Sequence, residues 1–219
     1  MAIRVASQAR DAGRHWLPSQ GVDPAPLAEL NAECLGLLAV RAAETGCAAL
    51  PPLLAALRDQ WSELPTHAVR RLSAAPFSLF DAGFGCAPRW LELRGAGVHD
   101  AALRDGAAFF DTAAARSISR RMLVYGWHLA RSRPRAACLV FGATIAAVES
   151  LAACSLAALE AAAERNAAAL CPRWSNQIGF WRALLSTASA GADGRLHELL
   201  LGGIQRLAAD TLAAHAPSP

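Results

Sequence analysis

The chain has 219 residues, a formal net charge of +3, 54% hydrophobic residues and 18% charged ones. That length allows one large domain or two small ones, with a core that needs neither disulfide nor metal staples. The charged fraction is too low for a disordered tail and too high for a membrane bundle, and the absence of lysine excludes Schiff-base, phosphate-loop-lysine and Ser-Lys chemistry.

The six cysteines, Cys34, Cys47, Cys86, Cys138, Cys154 and Cys171, are widely spaced and contain no C-x-x-C pair. They read as buried reduced thiols, and neither a metal nor a cofactor is expected. Arg4, Arg10, Asp11 and Arg14 interrupt the first twenty residues, so no secretory signal is predicted. The most apolar run starts at Ala136 and is broken by Gly142, Thr144 and Glu149, too soon for a membrane span. The expectation is a cytoplasmic protein without a membrane partner.

Apolar residues recur at helical spacing in nearly every segment, and period-2 alternation is scarce. The predicted fold class is all-α. A first helix is predicted over residues 26–44, burying Leu27, Leu30, Leu35 and Leu38. A second follows Pro51 and Pro52 and stops before Pro65, since proline is tolerated in a first helical turn. A short third helix is predicted over residues 67–74. Residues 75–106 hold Pro76, Pro88, several glycines and the aromatics Phe77, Phe80, Phe84 and Trp90, which suits an irregular, aromatic-packed connector. The composition changes near residues 105–115. This suggests a helical N-terminal extension over residues 1–115 and a helical domain over residues 116–219.

The second half reads as short capped helices in quick succession. One helix is predicted over residues 111–131. Pro134 opens another that ends at Phe141, with Gly142 as a left-handed cap. Thr144 and Ser155 are predicted N-caps of the next two helices, and Asn166 is available to end the second. The pair forms a helix-turn-helix-like unit. Further helices are predicted through Phe180, Trp181 and Leu185, and from Asp193 to about residue 214.

Catalytic motifs are missing. The six histidines form no local pattern, and there is no G-x-S-x-G, H-E-x-x-H or phosphate loop. The expectation is a protein that is not an enzyme. Glu160 and Glu164, four apart, read as a solvated stripe rather than an acid/base pair. Arg116, Arg120, Arg121, Arg131, Arg133 and Arg135 lie within one run that contains no acidic residue. The guanidinium fork suits phosphate oxygens, so such a group can bind nucleic acid in a salt-dependent way. The plainer alternative is that these arginines keep the ends of an apolar helix in water, with Arg131 and Arg133 favoured by the helix dipole. At a net charge of only +3, strong DNA binding by the isolated chain is not expected. For the six tryptophans core packing is the default reading, and Trp174 and Trp181, seven apart, are candidate partner-interface anchors on one helical face.

The run GATIAAVESLAACSLAALEAAAERNAAALCPRW, residues 142–174, resembles the flagellar transcriptional regulator family FlhD. The features in common are Gly142 followed by Thr144, the Leu151-Ala152 step, the cap Ser155 with Leu156, Leu159 and Ala163, then Asn166, Cys171, Arg173 and Trp174. Cys171 falls one position late. Upstream, MLVYGWHLARSRPRAACLVFG is similar to the family's long first helix and the short helix after it. Downstream, LHELLLGGIQ is similar to its last helical stretch. The resemblance spans roughly residues 118–207 and leaves the first 115 residues without a counterpart. It implies an all-α, homodimer-forming activator that joins an FlhC-like protein subunit on promoter DNA, with flagellar or related genes as targets. The family's cysteine can cross-link protomers, but the offset of Cys171 does not carry that bond over. On this basis Arg131, Arg133, Arg135 and Arg173 are the expected phosphate contacts, and Leu151, Leu156 and Leu159 the expected packing of the capped pair. A helical protein–protein adaptor or secretion-apparatus component without DNA binding is the alternative.

Overall fold

A computed structural model of the chain describes residues 23–44, 49–84 and 107–214. The fold is all-α: ten helices and one two-stranded ladder among the described residues. Helix α1, Ala25–Ala43, places Leu27, Leu30, Cys34, Leu35, Leu38 and Ala42 on one buried stripe, as the three-and-four spacing requires. The predicted second helix is divided into α2, Pro52–Ala56, and α3, Arg58–Ser62. Leu57 leaves helical geometry at φ −127°, ψ 29°, and Leu53, Leu54, Leu57 and Trp61 are all buried around this break. The same break places Arg58 to donate from Nε to Ala42 O at 3.0 Å and from Nη2 to Glu44 O at 2.6 Å. Carbonyls at the end of α1 are satisfied in this way.

Helix α4, Thr66–Ser73, leads into the aromatic connector, where Phe77, Phe80 and Phe84 are each 1% exposed. Within it, strand β1, Phe80–Asp81, pairs antiparallel with β2, Cys171–Pro172, in the register Phe80 to Pro172 and Asp81 to Cys171. Trp90, Cys47 and Cys86 lie outside the described residues.

The long helix α5, Thr112–Ser132, starts at Asp111, whose side chain accepts from Ala114 N at 2.9 Å. Arg133 breaks the helix, and Pro134 opens α6, Pro134–Phe141. Gly142 stops α6 at φ +56°, in the left-handed region that glycine tolerates. A Cβ built there would also lie 2.6 Å from Leu207. Thr144 then caps α7, Ile145–Ala152, by accepting from Ala147 N at 3.2 Å. Ser155 caps α8, Leu156–Asn166, by accepting from Ala158 N at 3.2 Å. Both caps fall where the sequence predicts them. The apolar run that begins at Ala136 is thus folded at a 117° bend between α6 and α7, and no single helix among the described residues is long and apolar enough to cross a membrane. After a 3₁₀ turn over Ala167–Ala169 and strand β2 come α9, Ile178–Ala190, and α10, Asp193–Ala213.

Helices α6, α7 and α8 fold back on α5, while α1 packs on α3, α4 and α5, and α9 lies against α4 and α10. One core joins residues 23–84 to residues 107–214: Trp61 meets Trp181 at 5.5 Å, and Phe84 stacks on Phe141 at 4.2 Å. Gly126 makes that stack possible, because a Cβ on α5 would come within 2.7 Å of the Phe84 ring.

Candidate functional site

The arginine group divides into two halves. Arg116 pairs with Glu164 at 2.8 Å, Arg120 with Glu160 at 2.6 Å, and Arg121 with Glu33 of α1. Glu160 and Glu164 are exposed, as predicted for a solvated stripe, and they tie α8 to α5 through charges four residues apart on each helix. Arg131, Arg133 and Arg135 form no salt bridge among the described residues. They flank the break between α5 and α6. Arg131 and Arg135 are exposed and Arg133 is half-buried. The Arg131 guanidinium lies 4.7 Å from the centre of the Trp127 ring, a cation–π contact.

Arg173 stands apart from these three. It is only 9% exposed, so the expectation of a surface phosphate contact is corrected. Its Nε donates to Ser78 O at 2.8 Å and its Nη2 to Phe141 O at 2.5 Å, with Asp81 Oδ1 at 3.8 Å. A buried charge needs such partners. Here the backbone carbonyls come from two distant segments, which the guanidinium joins.

Both tryptophan expectations change as well. Helix α9 begins only at Ile178, so Trp174 sits in the turn before it and shares no helical face with Trp181. Trp181 is fully buried, donates from Nε1 to Arg173 O at 2.7 Å, and packs against Trp61 and Phe80. It is a core residue and not an interface anchor. Trp174 is half-buried, with its ring edge-to-face against Phe77 and Phe180 and its Nε1 donating to Asp210 Oδ2 at 2.9 Å. Its φ of +50° is the only positive value outside glycine among the described residues. A bulky side chain is strained there, and such strain persists only where surrounding contacts over-determine it.

These residues surround a cleft of about 460 Å³, formed by the α6–α7 turn, strand β2, the turn after it and the end of α10. Arg173, Asp81, Thr144, Trp174 and Asp210 line it, with Leu207 as an apolar wall. A second, more open groove of about 1210 Å³ runs between α5 and α8, past the paired Arg116, Arg120, Glu160 and Glu164 to Tyr125 and Trp127. Burial, and then the carboxylate of Asp23, push the Tyr125 phenol above its ordinary range. No group of His, Cys, Asp and Glu among the described residues comes together to hold a metal ion.

The cysteines fall into three settings. Cys171 lies on strand β2, not on a helix, and is 3% exposed. Cys34 is fully buried on α1, and burial pushes its thiol far above the ordinary range, so it carries no nucleophilic role. Cys138 and Cys154 are half-buried.

One polar centre was not foreseen in the sequence. Asn31, 1% exposed, donates from Nδ2 to Phe77 O at 3.2 Å and Ser73 O at 3.4 Å, and accepts from Leu79 N at 3.0 Å. It fastens the connector that carries β1, and so positions one wall of the cleft. Its signal in the sequence is an amide at a core position of the α1 stripe, four residues from Leu27 and from Leu35. Compared with known protein-family models, curated proteins and solved structures, the chain matches none.

Proposed function

We propose that the chain is a helical regulator of FlhD type, acting as a homodimer within a hetero-oligomeric complex with an FlhC-like subunit on promoter DNA of flagellar or related genes. The observation that carries this reading is the division of the arginine group. Three arginines are spent on Glu33, Glu160 and Glu164, while Arg131, Arg133 and Arg135 have no salt bridge among the described residues at one helix corner. Guanidinium groups free of carboxylates are the ones able to take phosphate oxygens, and they position a protein on DNA rather than read its sequence. Three such groups suit a protein that needs a partner for affinity. One short helix, α6, separates this corner from the capped pair α7–α8, the order that the FlhD resemblance implies.

The test is DNA affinity as a function of salt, measured by anisotropy on the complex isolated from its source cells with duplexes from upstream of flagellar operons. The slope of log K against log salt falls by about 0.9 for each phosphate that is no longer neutralised. The combined Arg131→Ala, Arg133→Ala and Arg135→Ala variant is expected to flatten the slope by roughly two to three such steps. Equal slopes for variant and wild type would remove these arginines from the interface.

A second reading has its own observation. Leu139, Ile145 and Leu156 are 65%, 45% and 57% exposed on α6, α7 and α8. Large apolar side chains in water on three successive helices suit a protein–protein adaptor. Absence of DNA binding by the intact complex would favour that reading.

A further inference from the structure

The cleft beside Trp174 has a chemistry that DNA contact does not use. It is lined by the Arg173 guanidinium, nine-tenths buried, whose Nε and Nη2 are occupied by the carbonyls of Ser78 and Phe141. The remaining nitrogen, Nη1, has no acceptor among the described residues, although Arg173 lines the cleft. Nη1 keeps contact with solvent, and a ligand carboxylate oxygen would replace water there with a charge-assisted hydrogen bond.

The next residue along the chain supplies the complement. Trp174 holds Asp210 through one carboxylate oxygen, Oδ2, and leaves Oδ1 without a partner among the described residues. Asp210 is exposed and lines the same cleft. The other carboxylate, Asp81, already accepts at Oδ1 from Gly83 N at 3.0 Å and Phe84 N at 2.9 Å. An unfilled cationic donor and an unfilled anionic acceptor therefore share one cleft, flanking a strained tryptophan. A simple anion would satisfy Arg173 but meet repulsion from Asp210, and a simple cation the reverse. A zwitterion answers both. The volume, about 460 Å³, lies within the range of small-molecule sites, and Leu207 and Pro172 offer apolar walls.

We propose that this cleft is a binding site for a small zwitterion of the α-amino acid class, its carboxylate on Arg173 Nη1 and its ammonium group toward Asp210. The apolar walls favour an aliphatic side chain. Trp174 is the positioning residue: it sets Asp210 against Arg173, and its backbone is held by Gln177 N donating to its carbonyl at 2.7 Å.

The experiment is a thermal-shift screen of the full chain against the common free amino acids, followed by calorimetric titration of those that stabilise it. Isocaproate and isoamylamine serve as leucine analogues that lack the ammonium and the carboxylate respectively. The expected result is a saturable rise in Tm with at least one aliphatic amino acid, and binding at least about tenfold weaker for both analogues, the equivalent of one polar interaction. Asp210→Asn keeps an acceptor for Trp174 and is expected to fold. It should lose about tenfold or more in affinity. Arg173→Gln should abolish binding, and if that variant fails to fold, Asp210→Asn decides alone. No shift with any amino acid overturns the proposal. So does undiminished binding by Asp210→Asn, or isocaproate binding as tightly as leucine.

Discussion

Arg173 shows how little a side chain's type says about its place. Arginine is mostly a surface residue, yet here one guanidinium joins Ser78, Phe141 and the neighbourhood of Asp81 from within the core. Asn31 is the corresponding neutral case, an amide in a leucine stripe that holds three backbone groups of the connector. Tyr125 offers a direct test of its surroundings, because it is the only tyrosine in the chain. Burial and the nearby Asp23 disfavour its phenolate, so its titration, followed by ultraviolet absorbance, should have a midpoint above 10.0. Because the folded state holds this proton more tightly than the unfolded chain, stability is constant below the unfolded pKa and falls as pH rises through the folded one. Asp23→Asn should move the midpoint back toward the ordinary value, and an unmoved midpoint would leave burial as the only cause.

At the scale of elements, caps were more legible than faces. Thr144, Ser155 and Gly142 each act at the helix end where the sequence places them, because capping depends on a few adjacent residues. Which leucines pack depends on the partner helix, and there the expectation needs correction. Leu151 and Leu159 are buried at 2% and 1% exposure, but Leu156, in the first turn of α8, is 57% exposed and does not hold the pair together. Leu159→Ala is therefore expected to cost about 2–5 kcal/mol in chemical denaturation. Leu156→Ala should stay within about 0.5 kcal/mol, as surface substitutions do. Equal losses in the two variants would contradict the orientation of α8.

For the whole molecule, the decisive feature is that the two halves complete each other. Trp181 from the second half packs between Trp61 and Phe80 from the first, and β2 finds its only partner in β1 among the described residues. At the far edge, Arg71 donates to Ala188 O at 3.2 Å and pairs with Asp193 at 3.1 Å, so α4 closes the junction of α9 and α10. A fragment of residues 107–219 would expose this surface and leave Arg173 without its Ser78 acceptor. It is expected to lack a cooperative thermal transition, as monitored by circular dichroism. A sharp melt would instead establish a self-sufficient unit in the second half, in line with the change of composition near residues 105–115.

Fold class and the helix ends at Gly142, Thr144 and Ser155 were determined by the sequence alone, since periodicity, prolines, glycines and hydroxyl caps act over a few residues of chain. So was the existence of an arginine-rich run. Tertiary structure decided which of those arginines keep their charge available, because Glu33, Glu160 and Glu164 reach them only through packing of α1 and α8 on α5. It also decided that Arg173 and Trp181 face inward, that Leu57 breaks a helix, and that a cleft opens beside a strained Trp174. Each of these depends on groups far apart in the chain, such as Ser78 and Arg173, whose meeting leaves no local mark on either segment.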